Sequence, residues 1–595
     1  MTVIQLRGTR LAAATISKPL TRPFILALTF LFLLSMHYFQ HNQGGAGLEL
    51  PFNVSSWIPF SFAIAIGLLE ISRQKILRYS RLTLVLLGCC VMLTVPILFP
   101  EARPEGAVNR IMTLWAGWLF FVALQQFAFS QKQRQQILWL ILKAVWLQAA
   151  LAWYQFLWIS PDNGIGYNTD LNRPYGIFQQ PNVMASFLAT GLVLSAYLLA
   201  RQPMVQGRWT LSHLGLQLTP VAVIPMLYVL SSRTGWMASI VGVLLILPYL
   251  KQFAARVQWR MWLMMLVMGC SVAWNLTSTL NWSPQPGRVS LESARSVIYP
   301  QAMEMFLQSP VTGVGYGNFE PAYLMQTAQA HQADPETPYG LPGLDHPHNE
   351  LLFWASEGGI LPLLALLIAA AAVLAKIRRA PANTQLALVA LIFPITLHTQ
   401  LEYPFYHSLI HWIIFVFLIY WVDGLSAKYF KQSLQWYKPF RISAMLLPVV
   451  VSFFMATTLY SGAMLTRFES STPPDFTALD KVNNTWAWRN RFEWDLYQTQ
   501  LKIGIEQNNP ELLTGFIHWA NQKAKELPRP ILYQFLITAY QALDDVYQAE
   551  QVREEARYLF PGVDFSDDAL PQLYKPKTVT ALPQIAQTEG QADKG

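Results

Sequence analysis

The run ILPLLALLIAAAAVLA, residues 360–375, contains no charged side chain and is nearly as long as a helix that crosses the hydrocarbon core of a bilayer. Similar runs recur through the first 460 residues, including Leu82–Phe99, Pro181–Ala200 and Trp236–Leu250. Tryptophan and tyrosine residues lie near the ends of many of these runs, as expected at the two surfaces of a membrane. The chain is therefore predicted to be a polytopic membrane protein.

The composition supports this interpretation. Of the 595 residues, 53% are hydrophobic and 13% are charged, whereas soluble domains carry about 25% charged residues. We expect about thirteen transmembrane helices, so the predicted fold class is an all-α polytopic membrane protein. The first span follows a basic N-terminus, and we interpret it as an uncleaved anchor because no small-residue cleavage site follows it. The three cysteines fall inside predicted spans, which does not suggest redox chemistry.

Lysine and arginine residues are concentrated in alternate loops, which predicts the orientation in the membrane. If the N-terminus is cytoplasmic, the inner segments contain Arg73, Lys75, Arg78, Arg81, Lys132, Arg134, Arg201, Arg208, Lys251, Arg256, Arg260, Lys376, Arg378, Arg379, Lys428, Lys431, Lys438 and Arg441. The short outer segments contain only Arg103, Arg110, Arg173 and Arg233. The net charge of +8 follows from this bias, so the predicted partner is the lipid bilayer and no nucleic acid is expected.

The chain is predicted to contain three regions. Residues 1–464 form the transmembrane region, which includes a large outer loop at about 277–349. Residues 465–574 have apolar positions at three- and four-residue intervals and predict a soluble helical domain of the tetratricopeptide kind. Residues 575–595 are polar, without an apolar period, and are predicted to be a disordered tail.

The segment DHPHNELLFWASEGG, residues 345–359, places two histidines and a carboxylate at the start of a predicted transmembrane helix. Histidine exchanges protons near neutral pH, so His348 and His346 are candidates for acid–base catalysis. Two alternatives stay open. The His-Pro-His run could simply cap a helix at the interface. Alternatively, the histidines with Asp345 and Glu350 could hold a metal, although no spacing here defines a coordination geometry.

Four elements together resemble the O-antigen ligase and polymerase superfamily. HPHNELLFWASEGG resembles its His-Asn element, RPYGIFQQPN (173–182) its Gly-x-Phe-x-x-Pro-Asn element, SSRTGW (231–236) its Ser-Arg-x-Gly element, and the segment 294–319 its Arg-led helix with a glycine turn. The segment QLEYPFYHSLIHW (400–412) and the C-terminal helical domain are similar to the protein O-oligosaccharyltransferase branch. The resemblance implies a GT-C-like O-antigen ligase fold in the bacterial inner membrane. The outer side, where the lysine and arginine bias places the C-terminus and the candidate active site, would then be the periplasm.

The resemblance also implies a reaction. An undecaprenyl-diphosphate-linked oligosaccharide would be transferred to Ser or Thr hydroxyls of periplasmic proteins such as pilin, with no cofactor and no metal. This transfer needs a group that takes the hydroxyl proton and cations that stabilise the leaving diphosphate. Arginine suits the second task because its planar guanidinium binds phosphate oxygens with two hydrogen bonds.

The implied catalytic residues are His348, Arg295 and Arg233. Ten other residues are predicted binding groups for the diphosphate, sugar or acceptor. They are Arg173, Gln179, Gln180, Asn182, Arg288, Asn349, Glu357, Tyr403, Tyr406 and His407. Each of the arginines could instead anchor to lipid headgroups. Glu357 could pair with Arg233 or Arg295 and only shape the site.

Other functions use similar residues. O-antigen ligases transfer to a sugar of lipid A core and polymerases to another lipid-linked glycan, and the shared chemistry does not separate these acceptors. A transporter of lipid-linked sugars is the alternative from another class. Transporters often contain two similar halves with binding residues near the bilayer midplane. This sequence has no such repeat, and its polar candidates gather on one predicted face, which favours an enzyme.

Overall fold

The computed structural model describes residues 19–170, 173–202, 210–279 and 294–571, and these are almost entirely helical. The α-helices are α1 Thr21–Leu33, α2 Pro51–Gln74, α3 Arg81–Thr94, α4 Pro104–Gln125, α5 Gln131–Leu157, α6 Pro181–Leu199, α7 Leu211–Val229, α8 Arg233–Phe253, α9 Arg256–Thr279, α10 Arg295–Gln308, α11 Phe319–Ala333, α12 Glu350–Gly358, α13 Ile360–Arg378, α14 Gln385–Thr399, α15 Pro404–His407, α16 Leu409–Ser426, α17 Lys438–Ser470, α18 Phe476–Leu479, α19 Arg489–Glu506, α20 Pro510–Glu526, α21 Pro530–Ala542 and α22 Val546–Leu559. Short 3₁₀ helices cover Ser35–His37, Gly47–Glu49, Val95–Leu98, Ala382–Thr384 and Asp567–Ala569. Two strands, β1 Ile76–Tyr79 and β2 Phe430–Ser433, pair antiparallel.

Eleven helices within the described ranges are long and apolar enough to cross a membrane. They are α2 to α8, α13, α14 with its preceding turn, α16 and α17. The two other predicted spans also form helices, α1 with 13 residues and α9 with 24 residues, but neither is among these eleven. The predicted fold class, an all-α polytopic membrane protein, is confirmed.

The chain divides into two units. The first comprises the described parts of Met1–Thr327 and Leu344–Phe492, and the second those of Ala328–Gly343 and Glu493–Gly595. In the second unit, α20, α21 and α22 pack in sequence order around Leu513, Phe516 and Leu536. The predicted domain start near residue 465 falls within α17, and the predicted tail at 575–595 lies outside the described residues. The proposed domain assignment remains a prediction.

Helix α6 lies at the centre of the first unit. Its sequence is apolar on every side, and 94% of its membrane-crossing window is buried, whereas only 22% of the window in α17 is buried. A helix that is hydrophobic all round packs best when neighbours surround it, and α6 contacts α5, α7, α8 and α14. Its N-terminus is therefore held by packing from several directions.

Small residues bring α8 against α6. A Cβ atom at Gly235 would clash with Ala185, and one at Gly242 would approach Val193 to 2.7 Å, so the two backbones are unusually close. Because both residue numbers rise together along the contact, the helices run parallel and their N-termini lie side by side. This contact places the start of α8, with Arg233, beside the start of α6.

Several helix ends meet at one end of the membrane region, which we call the site end. The buried Asn53 side chain, near the start of α2, donates to the His407 carbonyl and accepts from the Leu409 amide at the start of α16. The β1–β2 pair follows α2 and α16 at the opposite end. Lysines and arginines of segments 73–81 and 428–441 are associated with that opposite end, away from the site end.

Candidate active site

Three helices at the site end begin in the same unusual way. Each follows a non-glycine residue in the left-handed region, at φ 49° or 57°, and then a polar N-cap residue whose side chain accepts a hydrogen bond from the first turn. These pairs are Gln179 and Gln180 before α6, Ser231 and Ser232 before α8, and His348 and Asn349 before α12. Left-handed non-glycine residues cost about 1–3 kcal/mol and persist where surrounding contacts enforce them. Each of these turns should therefore have identifiable supports.

The support for His348 is the neighbouring histidine. His346 Nδ1 accepts a hydrogen bond of 2.8 Å from the His348 backbone amide, which closes a tight turn across Pro347. The His346 ring is buried and packs against Phe353, Tyr403 and Tyr406, with ring centroids 4.4 to 5.4 Å apart. Burial holds the pKa of His346 well below its ordinary value, so the ring is neutral. His346 acts here as a support for the turn.

The supports for the other two turns come from different helices or loops. Arg173 is buried and donates from Nε and Nη2 to the Leu230 carbonyl at 2.9 and 2.6 Å, next to the Ser231 turn. Two buried glutamines of α5 hold the loop before α6: Gln155 accepts from the Gly176 amide at 2.8 Å, and Gln148 from the next amide at 2.8 Å. The predicted binding residue Arg173 is thus placed against backbone.

Glu402 connects three of the predicted site residues. One carboxylate oxygen, Oε2, accepts a hydrogen bond from His348 Nδ1 at 3.0 Å. The other, Oε1, accepts from Arg295 Nη2 at 2.6 Å and from Asn182 Nδ2 at 3.1 Å. Burial by itself would raise the pKa of Glu402, but the hydrogen bond from His348 and the charge of Arg295 lower it below its ordinary value. Glu402 is therefore a carboxylate at neutral pH, and it joins α6, α10 and the start of α12.

Arg233 and Arg295 line one pocket. The open pocket has a volume of about 530 Å³, within the range of small-molecule sites. Its lining also includes Thr234, Met237, Ser296, Tyr299, Pro300 and Leu401. The two guanidinium groups come from the first turns of α8 and α10, where the helix dipoles add positive potential. Such a pocket suits an anionic ligand.

Two backbone carbonyls tie the pocket to the His348 turn. The Tyr299 hydroxyl lies 2.8 Å from the Gln400 carbonyl and 3.1 Å from the His348 carbonyl. Asn349 caps α12 through Oδ1, which accepts from the Leu352 amide, while its Nδ2 donates to Gln400 at 3.2 Å. The arginine pocket and the candidate base are consequently parts of one connected structure.

Glu357 has a different partner from the predicted ones. The hypothesis that it pairs with Arg233 or Arg295 is wrong, because its Oε2 forms a buried ion pair with Arg110. Its Oε1 accepts from the Gly317 and Phe319 amides at 3.0 and 3.1 Å, and these bonds hold the segment GVGYGNF, residues 313–319, against α12. Both carboxylate oxygens of Glu357 therefore have partners, and the ion pair joins α12 to α4, an element far away in sequence.

That glycine-rich segment forms a turn, as predicted. Gly313, Gly315 and Gly317 all have positive φ, which glycine adopts without strain. A Cβ at Gly313 would clash with the Glu357 backbone, so the turn also requires the missing side chain.

The remaining predicted residues lie around this centre. Tyr406 donates to Glu350 at 2.9 Å, and His407 Nε2 donates to the Phe178 carbonyl at 2.7 Å. The Tyr403 ring is 5.4 Å from the His348 ring. Gln179 and Gln180 are half-buried at the start of α6, and Arg288 lies outside the described residues. In the described ranges, no group of three or more His, Cys, Asp or Glu is placed to hold a metal ion.

Sequence reasoning missed Glu402, Arg110 and the supporting glutamines Gln148 and Gln155. Glu402 had a signal, because it is a carboxylate within the quoted QLEYPFYH segment. The glutamines also had one, since they stand seven residues apart in the largely apolar part of α5 that follows Lys143, and so share a helix face. Arg110 was counted as an outer-loop charge, but it lies inside α4 with its guanidinium over the Tyr316 ring.

Comparison with known families places this geometry in context. The model described as O-antigen ligase matches residues 219–368, and the one described as virulence factor membrane-bound polymerase, C-terminal, matches residues 386–574. The model described as protein glycosylation ligase matches residues 174–199. A search of curated proteins found no match. The three matched regions together contain Arg233, Arg295, His348, Glu402 and Asn182. The chain is a membrane-embedded glycosyl-transfer enzyme of the superfamily that comprises O-antigen ligases, polymerases and protein glycosylation ligases.

Proposed function

We propose that this enzyme transfers an oligosaccharide en bloc from an undecaprenyl diphosphate carrier to Ser or Thr hydroxyls of periplasmic proteins, such as pilin. The observation that carries the proposal is the arrangement around Glu402, which puts a candidate base, His348, beside a candidate diphosphate ligand, Arg295. A lipid-linked donor is the substrate class implied by the ligase families.

The proposed reaction step uses His348 on one side of Glu402 and the pocket with Arg233 and Arg295 on the other. The diphosphate binds in the pocket between Arg233 and Arg295. The proton of the acceptor hydroxyl passes to His348 Nε2 while the acceptor oxygen bonds to the anomeric carbon of the glycan. The bond between that carbon and the diphosphate oxygen breaks, and the leaving diphosphate carries its new negative charge beside the two guanidinium groups.

Two features favour a protein as acceptor. The segment 174–199, which comprises the loop before α6 and the whole of α6, matches the protein glycosylation ligase model. The chain also continues after α17 into a helical unit, α19 to α22, that offers surface for a protein substrate. The O-antigen ligase and polymerase models match longer parts of the chain, and they support lipid A core or a second lipid-linked glycan as the alternative acceptor.

The acceptor can be determined with purified full-length protein in liposomes. Undecaprenyl-diphosphate oligosaccharide is supplied with a pilin-type protein, with lipid A core, or with a second portion of lipid-linked glycan, all in the presence of chelator. We expect glycan on the protein and none on the other acceptors. Transfer only to lipid A core or to lipid-linked glycan would contradict the protein assignment, and transfer that chelator abolishes reversibly would contradict the metal-free step.

We also propose that the site end faces the periplasm of the inner membrane. The support is the lysine and arginine bias, together with the position of the β1–β2 pair and its basic neighbours at the opposite end. Gln507→Cys, at an exposed position after α19, should react with a membrane-impermeant thiol reagent in cells whose outer membrane alone is permeable. Labelling only after lysis would reverse the orientation.

A further inference from the structure

The carboxylate of Glu402 determines which nitrogen of the His348 ring carries the proton. A carboxylate only accepts hydrogen bonds, and Glu402 Oε2 lies 3.0 Å from His348 Nδ1, so Nδ1 must be the protonated nitrogen of a neutral ring. The other nitrogen, Nε2, then has a lone pair and can accept a proton. A base in the opposite tautomer would present an N–H there and could not act.

His346 shows that this outcome is specific to His348. The Nδ1 of His346 accepts from a backbone amide, so its neutral ring carries the proton on Nε2 instead. The two histidines, two residues apart, are therefore held in opposite tautomers by their partners. Of the two rings, only that of His348 has an unprotonated Nε2, which is the nitrogen that does not take part in the supporting hydrogen bond. Only this ring can therefore accept a proton at Nε2.

The second oxygen of Glu402 acts on the phosphate-binding side. Its bonds to Arg295 and Asn182 hold the guanidinium beside the same carboxylate that holds the imidazole. A displacement of Glu402 would consequently move the base and the diphosphate ligand together. Positioning of reacting groups of this kind contributes strongly to catalysis, because small misplacements reduce the rate.

We propose that Glu402 is the positioning residue of the transfer reaction, keeping His348 in the Nδ1-protonated tautomer and fixing Arg295 beside it. This inference rests on the proposed function for the role of the base, but the tautomer itself does not depend on the acceptor. The side chains of Arg295, His348 and, from α14, His398 face Glu402, and together they hold the pKa of its carboxyl below its ordinary value although burial would raise it. It remains ionised at the pH of the reaction.

The first experiment measures the tautomer without any reaction. Full-length protein labelled with ¹⁵N-histidine is reconstituted in nanodiscs near pH 8, and ¹⁵N chemical shifts distinguish protonated from bare ring nitrogens. The His348 signals are assigned by their loss in His348→Gln. We expect Nδ1–H for His348 in the wild-type protein, and an altered tautomer in Glu402→Gln, whose amide can donate to Nδ1. An Nε2–H tautomer of His348 in the wild-type protein would overturn the proposal.

The second experiment separates positioning from general stability. With whichever acceptor the wild-type protein uses, Glu402→Gln should lower kcat by 10²- to 10⁴-fold, the range of positioned acid–base catalysis, with a smaller change in the KM of the acceptor. The matched control is Glu70→Gln. Glu70 is likewise buried and hydrogen-bonded, but it lies about 25 Å along α2 from Asn53 at 1.5 Å per residue, near the opposite end.

The outcomes are distinguishable. If the wild-type protein glycosylates no protein but transfers to another acceptor, the proposed acceptor is wrong while Glu402 is still tested. If Glu402→Gln retains the wild-type kcat, or if Glu70→Gln lowers kcat equally, the positioning role is wrong. If Glu402→Gln does not fold, the tautomer of His348 in the wild-type protein decides alone.

Discussion

Replacing Arg110 by methionine should destabilise the membrane region strongly, because it leaves the Glu357 carboxylate buried without a cation. The side chains are 7% and 2% exposed, so neither charge can be solvated in place. Removing one partner of a buried ion pair costs about 3–5 kcal/mol. The two amide hydrogen bonds to Glu357 remain in this variant, and methionine retains part of the packing against the Tyr316 ring. We therefore expect a loss of unfolding free energy within that range and not above it.

A double-mutant cycle isolates the pair. Glu357→Gln should also be destabilising, since it leaves the Arg110 guanidinium uncompensated, but the double variant should be less unstable than the two single effects added. The free energy of unfolding is measured by denaturant titration of the detergent-solubilised protein, followed by tryptophan fluorescence. The control is Arg557→Met, which breaks an exposed pair with Glu550 and should change stability little. Single variants that each cost less than about 1 kcal/mol, or effects that simply add, would refute the buried-pair argument.

Three further predictions concern the site. His346→Asn should retain most of the turnover, because an Asn Oδ1 can accept the His348 amide as Nδ1 does, whereas His346→Leu should lose at least tenfold in initial rate; equal rates would contradict the support role. Arg233→Lys and Arg295→Lys should each lower turnover about tenfold or more, since an ammonium cannot form the bidentate contact, and wild-type rates in both would show that neither binds diphosphate. Burial lowers the pKa of His346 and His407, so unfolded histidines take up protons below about pH 6.5 that the folded ones do not. The free energy of unfolding should therefore fall as the pH drops below this value. Denaturation midpoints measured from pH 8 to 5 should decline less steeply in His346→Asn than in the wild-type protein.

Much of the candidate site could be predicted from local patterns. Asn349 before an apolar helix is a recognisable N-cap, and His348 beside it is a titratable group at a predicted membrane surface. Arg233 and Arg295 stand at the starts of helices, and the structure brings both to one pocket. Arg173 has the same residue type and a similar predicted place, yet it is buried against the Leu230 carbonyl. Residue type and topology therefore do not show which arginine faces a pocket.

The sequence by itself determined the approximate positions of the membrane helices, because apolar length and helical periodicity are local properties that bilayer thickness selects. Only the tertiary structure decided which polar groups meet. Glu402 joins His348 across 54 residues and Arg295 across 107, and Glu357 joins Arg110 across 247. A buried charge must find a partner somewhere, but any opposite charge in the chain satisfies that need in principle. Which one does so depends on helix packing, such as the close contact of Gly235 with Ala185, and no local pattern specifies that packing in advance.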